Sequence, residues 1–324
     1  MDIKKIVLPI ENELIEFNKY FRSTMLSKLP LLDLVIRYLT KKKGKQVRPA
    51  LVLLTAQMIG QIQLRTFIGA TMVELLHTAT LIHDDVVDQA NERRGIATIN
   101  VAWNNKISVL IGDFLLSKGL LIAVEQNEFQ FLKVTSTAVK RMSEGELLGI
   151  AKGKKIDITE DIYYEIIKGK TASLMSSCCE IGAISASQND IDHDNMREYG
   201  EFVGIAFQIK DDILDYTSST SLIGKPAGND IIEGKVTLPL IYAFTKSNYL
   251  EKKKISQLLN KNKNSKSEIK FVIDFVKSKG GLEYAEKEAI KYSELAKSKI
   301  SNYPNSPSKQ SLLNFADFVV SRNK

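Results

Sequence analysis

Apolar residues recur along this chain at spacings of three and four, the period that gives an α-helix one buried stripe. The pattern predicts helices over roughly 10–28, 31–40, 47–60, 64–90, 104–124, 128–152, 159–186, 193–217, 235–246, 249–260, 266–278, 281–300 and 307–321. No segment alternates apolar and polar residues long enough to make strands joined by hairpin turns. The helices at 64–90 and 193–217 are apolar around most of their circumference, as helices at the centre of a bundle are. Both end in acid clusters, an unusual close for a buried helix. A single Lys-, Asn- and Ser-rich stretch, Asn260 to Ser267, reads as a solvated loop near the C-terminus. The implied fold class is all-α, one helical bundle domain over residues 1–324.

Composition adds little to this picture. Seven prolines in 324 residues suit long helices. The formal net charge of +7 could face nucleic acid, an anionic membrane or a phosphorylated substrate, and does not choose among them. The only two cysteines, Cys178 and Cys179, are adjacent in an apolar stretch. Neighbours cannot form an ordinary disulfide, and two thiols make a poor zinc site, so both are expected as small core or interface residues. The N-terminus lacks a secretory apolar core, and no run is expected to reach transmembrane length. The expectation is a cytoplasmic protein without stable membrane insertion and without a nucleic-acid partner.

The chemistry lies in the acid clusters. The first is Asp84-Asp85-Val86-Val87-Asp88 and the second Asp211-Asp212-Ile213-Leu214-Asp215, 127 positions later. Residues four apart share a helix face, so Asp84 with Asp88, and Asp211 with Asp215, point together. Crowded carboxylates at the negative end of a helix dipole repel one another and call for cations. Hard divalent ions with oxygen ligands fit best, and magnesium commonly bridges one or two carboxylates to a substrate phosphate. Basic residues group around the acids: Lys45 and Arg48 before a helix, Arg93 and Arg94 one turn after the first cluster, Lys170-Thr171 in the helix at 159–186, and Lys225 and Lys235 after the second. Arginine takes phosphate bidentately and lysine as a point charge. His77, two turns before Asp84, shares its face and is a further phosphate donor beside Lys45 and Arg48. His83 and His193 have no assigned role.

These residues resemble a family. Gly44-Lys45-x-x-Arg48-Pro49, the run Glu74–Asp88 with His77 inside it, Arg93-Arg94-Gly95, Gly112-Asp113, Lys170-Thr171-Ala172, Phe207-Gln208-Ile-Lys-Asp211-Asp212-Ile-Leu-Asp215 and Gly224-Lys225 are similar, in order, to the trans-type polyprenyl diphosphate synthases. The likeness covers about residues 40–240. It implies the all-helical isoprenoid synthase fold around a deep cavity, a homodimer, and three Mg²⁺ on an allylic diphosphate. Carried over by position, Asp84, Asp88 and Asp211 would bind metal, with Asp85, Asp212 and Asp215 in support. Arg93, Lys170, Thr171, Gln208, Lys225 and Lys235 would surround the allylic diphosphate. Lys45, Arg48, His77 and Arg94 would hold isopentenyl diphosphate. The implied reaction adds isopentenyl units head to tail. No Ser or Cys position shows the neighbours that activate a nucleophile, and none is needed. Gly149 stands where the family usually has Gln, which leaves a local wall contact open.

Product length follows from residues below Asp84. In the family, bulky aromatics four and five positions earlier stop the chain early; here these are Thr80 and Ala79, both small. Thr80 falls beneath Asp84 on the helix, Ala79 is turned to one side, and Leu76 and Met72 come below. Phe129, Phe131 and Leu132 are candidates for a floor. The run Glu74–Asp88 resembles the octaprenyl-type enzymes in particular, which with the small Thr80 and Ala79 implies a long product for a quinone side chain. At about 1.5 Å per residue the helix from 64 to 84 permits a chain of about six to nine isoprene units without fixing that length. The rival expectations are a farnesyl or geranylgeranyl diphosphate synthase, a terpene cyclase and a non-catalytic partner subunit. The intact second motif argues against the last two.

Overall fold

The computed structural model describes residues 3–25, 27–40, 46–93, 95–152, 158–217, 228–261 and 265–322. In chain order it has α1 (Ile3–Ile6), a 3₁₀ turn (Leu8–Ile10), α2 (Glu11–Met25), α3 (Pro30–Thr40), α4 (Val47–Ile59) and α5 (Leu64–Val87). A short antiparallel ribbon follows, β1 (Glu92–Arg93) with β2 (Ile96–Ala97), then α6 (Ile99–Ala102), α7 (Asn105–Glu125), α8 (Phe129–Lys152) and α9 (Glu160–Ile167). A π-helical turn, Lys168–Ala172, leads into α10 (Ser173–Ala186) and α11 (Asp190–Thr217). The remainder comprises α12 (Asn229–Ile232), α13 (Leu238–Thr245), α14 (Tyr249–Leu259), α15 (Lys266–Ser278), α16 (Gly281–Lys299) and α17 (Pro307–Ser321).

The all-α expectation holds, with local differences that have physical causes. α11 begins at Asp190 rather than 193, because Asp190 and Asp192 favour the positive end of the helix dipole. The span expected as one helix at 159–186 is helical from Glu160 to Ala186, with the π turn inside it. The span expected at 235–246 is a helix only from Leu238, where Pro239 occupies the first turn. The ribbon was not foreseen, since strands of two residues are too short to alternate visibly.

Packing places α5 and α11 at the centre. α5 lies against α4, α7 and α10; α11 lies against α10 and α16. Two buried clusters result. One gathers Leu53, Leu75, Leu115, Ile181 and Tyr199 from α4, α5, α7, α10 and the first half of α11. The other gathers Ile205, Ile209 and Ile213 from the second half of α11 with Leu240, Val276 and Ala289. Full burial of one such Leu or Ile side chain contributes about 1.5–3 kcal/mol, so these faces, more than helix propensity, hold the helices. Cys178 and Cys179 are free and fully buried in the first cluster, as expected. Burial pushes the Cys178 thiol up to about 12.

α7 corrects one expectation. Its 21 residues, with a window of mean hydropathy 2.0, are long and apolar enough to cross a membrane by length and composition. The sequence reading missed this because Lys106, Asp113, Lys118 and Glu125 are spread along the helix. Only 39% of that window is buried. One face packs on α5, while Leu110, Leu121 and Val124 remain exposed.

Candidate active site

The C-terminal end of α5 carries Asp84, Asp85 and Asp88, and three contacts shape it. The Asp88 N–H donates to the Asp84 carbonyl (2.8 Å) and the Ala90 N–H to that of Asp85 (2.9 Å). The ribbon then turns the chain back, so that Arg93 Nε and Nη2 donate to Asp85 Oδ1 at 2.8 and 2.7 Å. Asp85 is buried and held by this pair; Asp84 is half-buried and Asp88 exposed. Burial raises the Asp84 carboxyl above its ordinary value; Lys170 and Arg93 oppose the shift, Glu146 and Asp88 add to it.

The second acid cluster ends α11. Asp212 is fully buried, accepting from Tyr163 Oη (2.7 Å) and Gln208 Nε2 (2.9 Å). Gln208 Oε1 in turn accepts from Thr171 Oγ1 (2.7 Å), which links the π turn, α11 and α9 in one chain of hydrogen bonds. Burial, with Asp230 and Asp211 nearby, pushes the Asp212 carboxyl up to about 8. Asp215 accepts the backbone N–H groups of Asn229 and Asp230 (3.1 and 3.0 Å), fixing the start of α12. Asp211 is exposed, and its Oδ1 accepts from Arg322 Nη2 at 2.6 Å.

Lys170 is positioned by a close approach of two backbones. A Cβ on Gly145 of α8 would lie 2.8 Å from Lys170 N and 3.0 Å from Gly169 Cα. Only glycine at both places lets α8 and the π turn touch, and π turns of this kind recur at functional sites. Lys170 then pairs with Glu146.

Two clefts flank the end of α5. One is lined by Asn18, Tyr38, Gln46, His77, Asp85 and Arg93. The other, about 1260 Å³ including its open mouth, brings together Asp88, Lys170, Thr171, Gln208, Asp212 and Lys235, with Glu146, Tyr163, Asp230 and Glu233. Most of the expected allylic-diphosphate residues thus meet in the second cleft. Arg93 lines the first, with His77, because the ribbon folds it onto Asp85. Arg48 is half-buried in the first turn of α4. Lys45, Arg94 and Lys225 lie outside the described residues.

Asp84, Thr80, Leu76 and Met72 descend one face of α5. At its lower end Met72 and Leu76 line an apolar hollow with Leu116, Gly119, Leu120 and Val139. Ala79 is packed in the core at 1% exposure and lines none of the described cavities. The Thr80 hydroxyl is taken by the His77 carbonyl (2.9 Å). Of the floor candidates, Phe131 is fully buried beside Gly69, three positions beyond Met72, whereas Phe129 is exposed.

Sequence reasoning passed over Glu146, Tyr163, Asp230, Glu233 and Arg322. Asp230 had a signal, lying between Lys225 and Lys235. Burial beside Asp215 pushes its carboxyl up to about 6. Tyr163 and Arg322 belong to no motif.

The acids fit a hard divalent cation. Three of them, Asp84, Asp212 and Asp230, are raised by burial and mutual repulsion, the signature of a site short of positive charge. Among the described residues no three such groups converge closely enough to hold an ion alone. That suits Mg²⁺, which takes few carboxylates and completes its shell with phosphate and water.

Comparison with known proteins agrees with this geometry. The chain matches the family pattern described as Polyprenyl synthetase over residues 29–276. It is 36% identical over 324 residues to the all-trans-nonaprenyl-diphosphate synthase (geranyl-diphosphate specific) of Rhodobacter capsulatus, with 99% of each chain covered. It is 31% identical to the octaprenyl diphosphate synthase of Escherichia coli, with 100% of each covered. The solved structure of polyprenyl synthase from Caulobacter crescentus CB15, complexed with calcium and isoprenyl diphosphate, matches with a TM-score of 0.91 at 31% identity. That match covers 100% of this chain and 98% of the other. The architecture is the all-α isoprenoid synthase fold, and the protein is a prenyltransferase. The chain belongs to the polyprenyl synthetase family.

Proposed function

We propose that this chain joins isopentenyl diphosphate head to tail onto an allylic diphosphate, building a long all-trans polyprenyl diphosphate of about six to nine units, a reading supported by its likeness to nonaprenyl and octaprenyl diphosphate synthases and permitted by the length of α5. The observation that carries this is the meeting of Asp88, Asp212, Lys170 and Lys235 in one cleft, above an apolar face of α5 that ends in a hollow at Met72 and Leu76.

In this reading Asp84, Asp88 and Asp211 would hold three Mg²⁺, with Asp85, Asp212 and Asp215 in support, and the ions would supply positive charge to the diphosphate. Lys170 and Lys235 neutralise the charge that builds on the leaving oxygen as the allylic C–O bond breaks. The Thr171–Gln208–Asp212–Tyr163 chain keeps the floor of that cleft rigid. His77 holds isopentenyl diphosphate from the first cleft, with Arg48, Lys45 and Arg94 as further donors. Its double bond attacks the allylic cation, and the proton released goes to the departed diphosphate. The apolar lining below keeps water from the cation.

A homodimer and a cytoplasmic location belong to the same reading. The exposed apolar face of α7 supports the first, since such a face is covered in a stable soluble protein. The decisive assay incubates the chain with farnesyl diphosphate, excess isopentenyl diphosphate and Mg²⁺. Products of about six to nine units are expected, a length that the rise of α5 permits. Products that stop at four units would overturn the long-chain assignment.

A further inference from the structure

The formal charge of +7 is not spread over the chain. Residues 246–279 hold ten lysines, no arginine and three acids, which accounts for all of it; elsewhere the charges balance. The stretch comprises α14, α15 and their flanks. Each helix buries one side in the second cluster, α14 through Ile255 and Leu259, α15 through Val272 and Val276. Ion pairs tie the helices at both ends. Lys279 Nζ donates to Glu251 Oε1 and Oε2 (2.8 and 3.0 Å), and Lys261 pairs with Glu268. Their outer sides meet in one surface, where Lys254 Nζ of α14 lies 4.1 Å from the centre of the Phe271 ring of α15.

That surface is positive and greasy at once. The pairs just named absorb two of the three acids. Lys253, Lys266 and Lys270 are exposed and have no acid partner among the described residues. Lys266 and Lys270, four apart, repel each other on one helix face. Beside them apolar groups stand in water, Tyr249 and Leu250 at 74% exposure and Phe271 at 40%. Lysine mixed with exposed Leu and aromatic side chains is what a helix lying on an anionic bilayer requires. The ammonium groups meet lipid phosphates while the apolar groups enter the headgroup layer. Nucleic-acid recognition favours arginine, absent from this stretch, and gives Leu250 nothing to bury against.

The two helices also brace the second cleft. A Cβ on Gly228 would lie 2.5 Å from Ile269 Cγ2 of α15, and one on Gly234 would lie 2.9 Å from the Leu259 carbonyl oxygen of α14. Both helices therefore abut the segment 228–235, which supplies Asp230 and Lys235 to that cleft. We propose that the outer surface of α14 and α15 docks the protein on an anionic lipid bilayer and sets the second cleft beside it. The surface is argued from charge and exposure alone. Its use, handing an apolar product to the bilayer, rests on the long-chain reading above.

The test sediments the full chain with vesicles at about 0.15 M salt. One set is phosphatidylcholine alone, the other about one-third phosphatidylglycerol. Wild type is expected to bind the anionic vesicles, not the neutral ones, and to come off at about 1 M salt. K253Q/K266Q/K270Q is expected to bind about a hundredfold more weakly, at about fivefold per lysine, and L250S about tenfold more weakly. All four positions are exposed, so circular dichroism should match wild type. Equal binding to both vesicle types, or unaltered binding in either variant, overturns the proposal. So does a short duplex DNA that displaces the anionic vesicles and binds L250S as well as wild type. Vesicle binding by a chain whose products stop at about four units removes the delivery role alone.

Discussion

Asp84 and Asp85 are adjacent yet do opposite work for the fold. Asp84 sits among like charges, so Asp84→Ala is expected to lower kcat/KM by about a hundredfold or more, the scale of losing transition-state charge stabilisation, while leaving thermal stability unchanged or slightly higher. Asp85→Ala strands Arg93, and thermal or urea unfolding is expected to show a loss of about 1–3 kcal/mol. Asp212 gives a pH prediction. Its folded pKa of about 8 lies above the unfolded value of 3.8, so the folded protein binds more protons between those values. Stability of the metal-free protein should therefore fall as pH rises from about 4 to 8, and Mg²⁺ with pyrophosphate should flatten that slope in thermal melts. At this scale the sequence was informative where chemistry needs a residue type at a spacing, as in Asp84 to Asp88. It was silent on Tyr163 and Arg322, which reach the site only through tertiary packing from α9 and the end of α17.

Among the elements, the long helices were legible because their apolar stripes span many turns. The π turn at Lys168–Ala172 was not, since a single wide turn changes one apolar spacing by one residue, too little to stand out in a pattern read over many turns. The chain-length rule shows the same limit. It named Ala79 and Thr80 with Leu76 and Met72 below them, and of these four Leu76 and Met72 line the hollow. Leu76→Phe is expected to shift products to shorter chains with the fold intact, read by chromatography of dephosphorylated products. Ala79→Phe forces a ring into a filled core position and is expected to cost about 1–3 kcal/mol in urea unfolding. An unaltered product distribution in Leu76→Phe would remove the hollow from the length argument.

For the whole molecule, α7 is the element the monomer leaves unfinished. Leu121→Asp places a charge on its exposed face; if that face joins two copies, light scattering should show the mass falling toward 36.3 kDa at micromolar concentration. An unchanged mass would send the interface elsewhere. The all-α class and the acid clusters at the ends of α5 and α11 were readable from the chain, whereas the apolar face that α7 leaves uncovered was not. Periodicity reports which residues are apolar, not which of them the rest of the fold has already covered.

The line from Asp84 through Thr80 and Leu76 to Met72 has a further consequence. In the proposed reaction the reacting groups stay at one end of α5 while the growing tail is pushed, five carbons at a time, toward the other. Nothing in such a site measures the product. It stops counting when the tail meets something that does not move, so its accuracy is set by the stiffness of the far wall, and a soft wall yields a spread of lengths where a rigid one yields a single number.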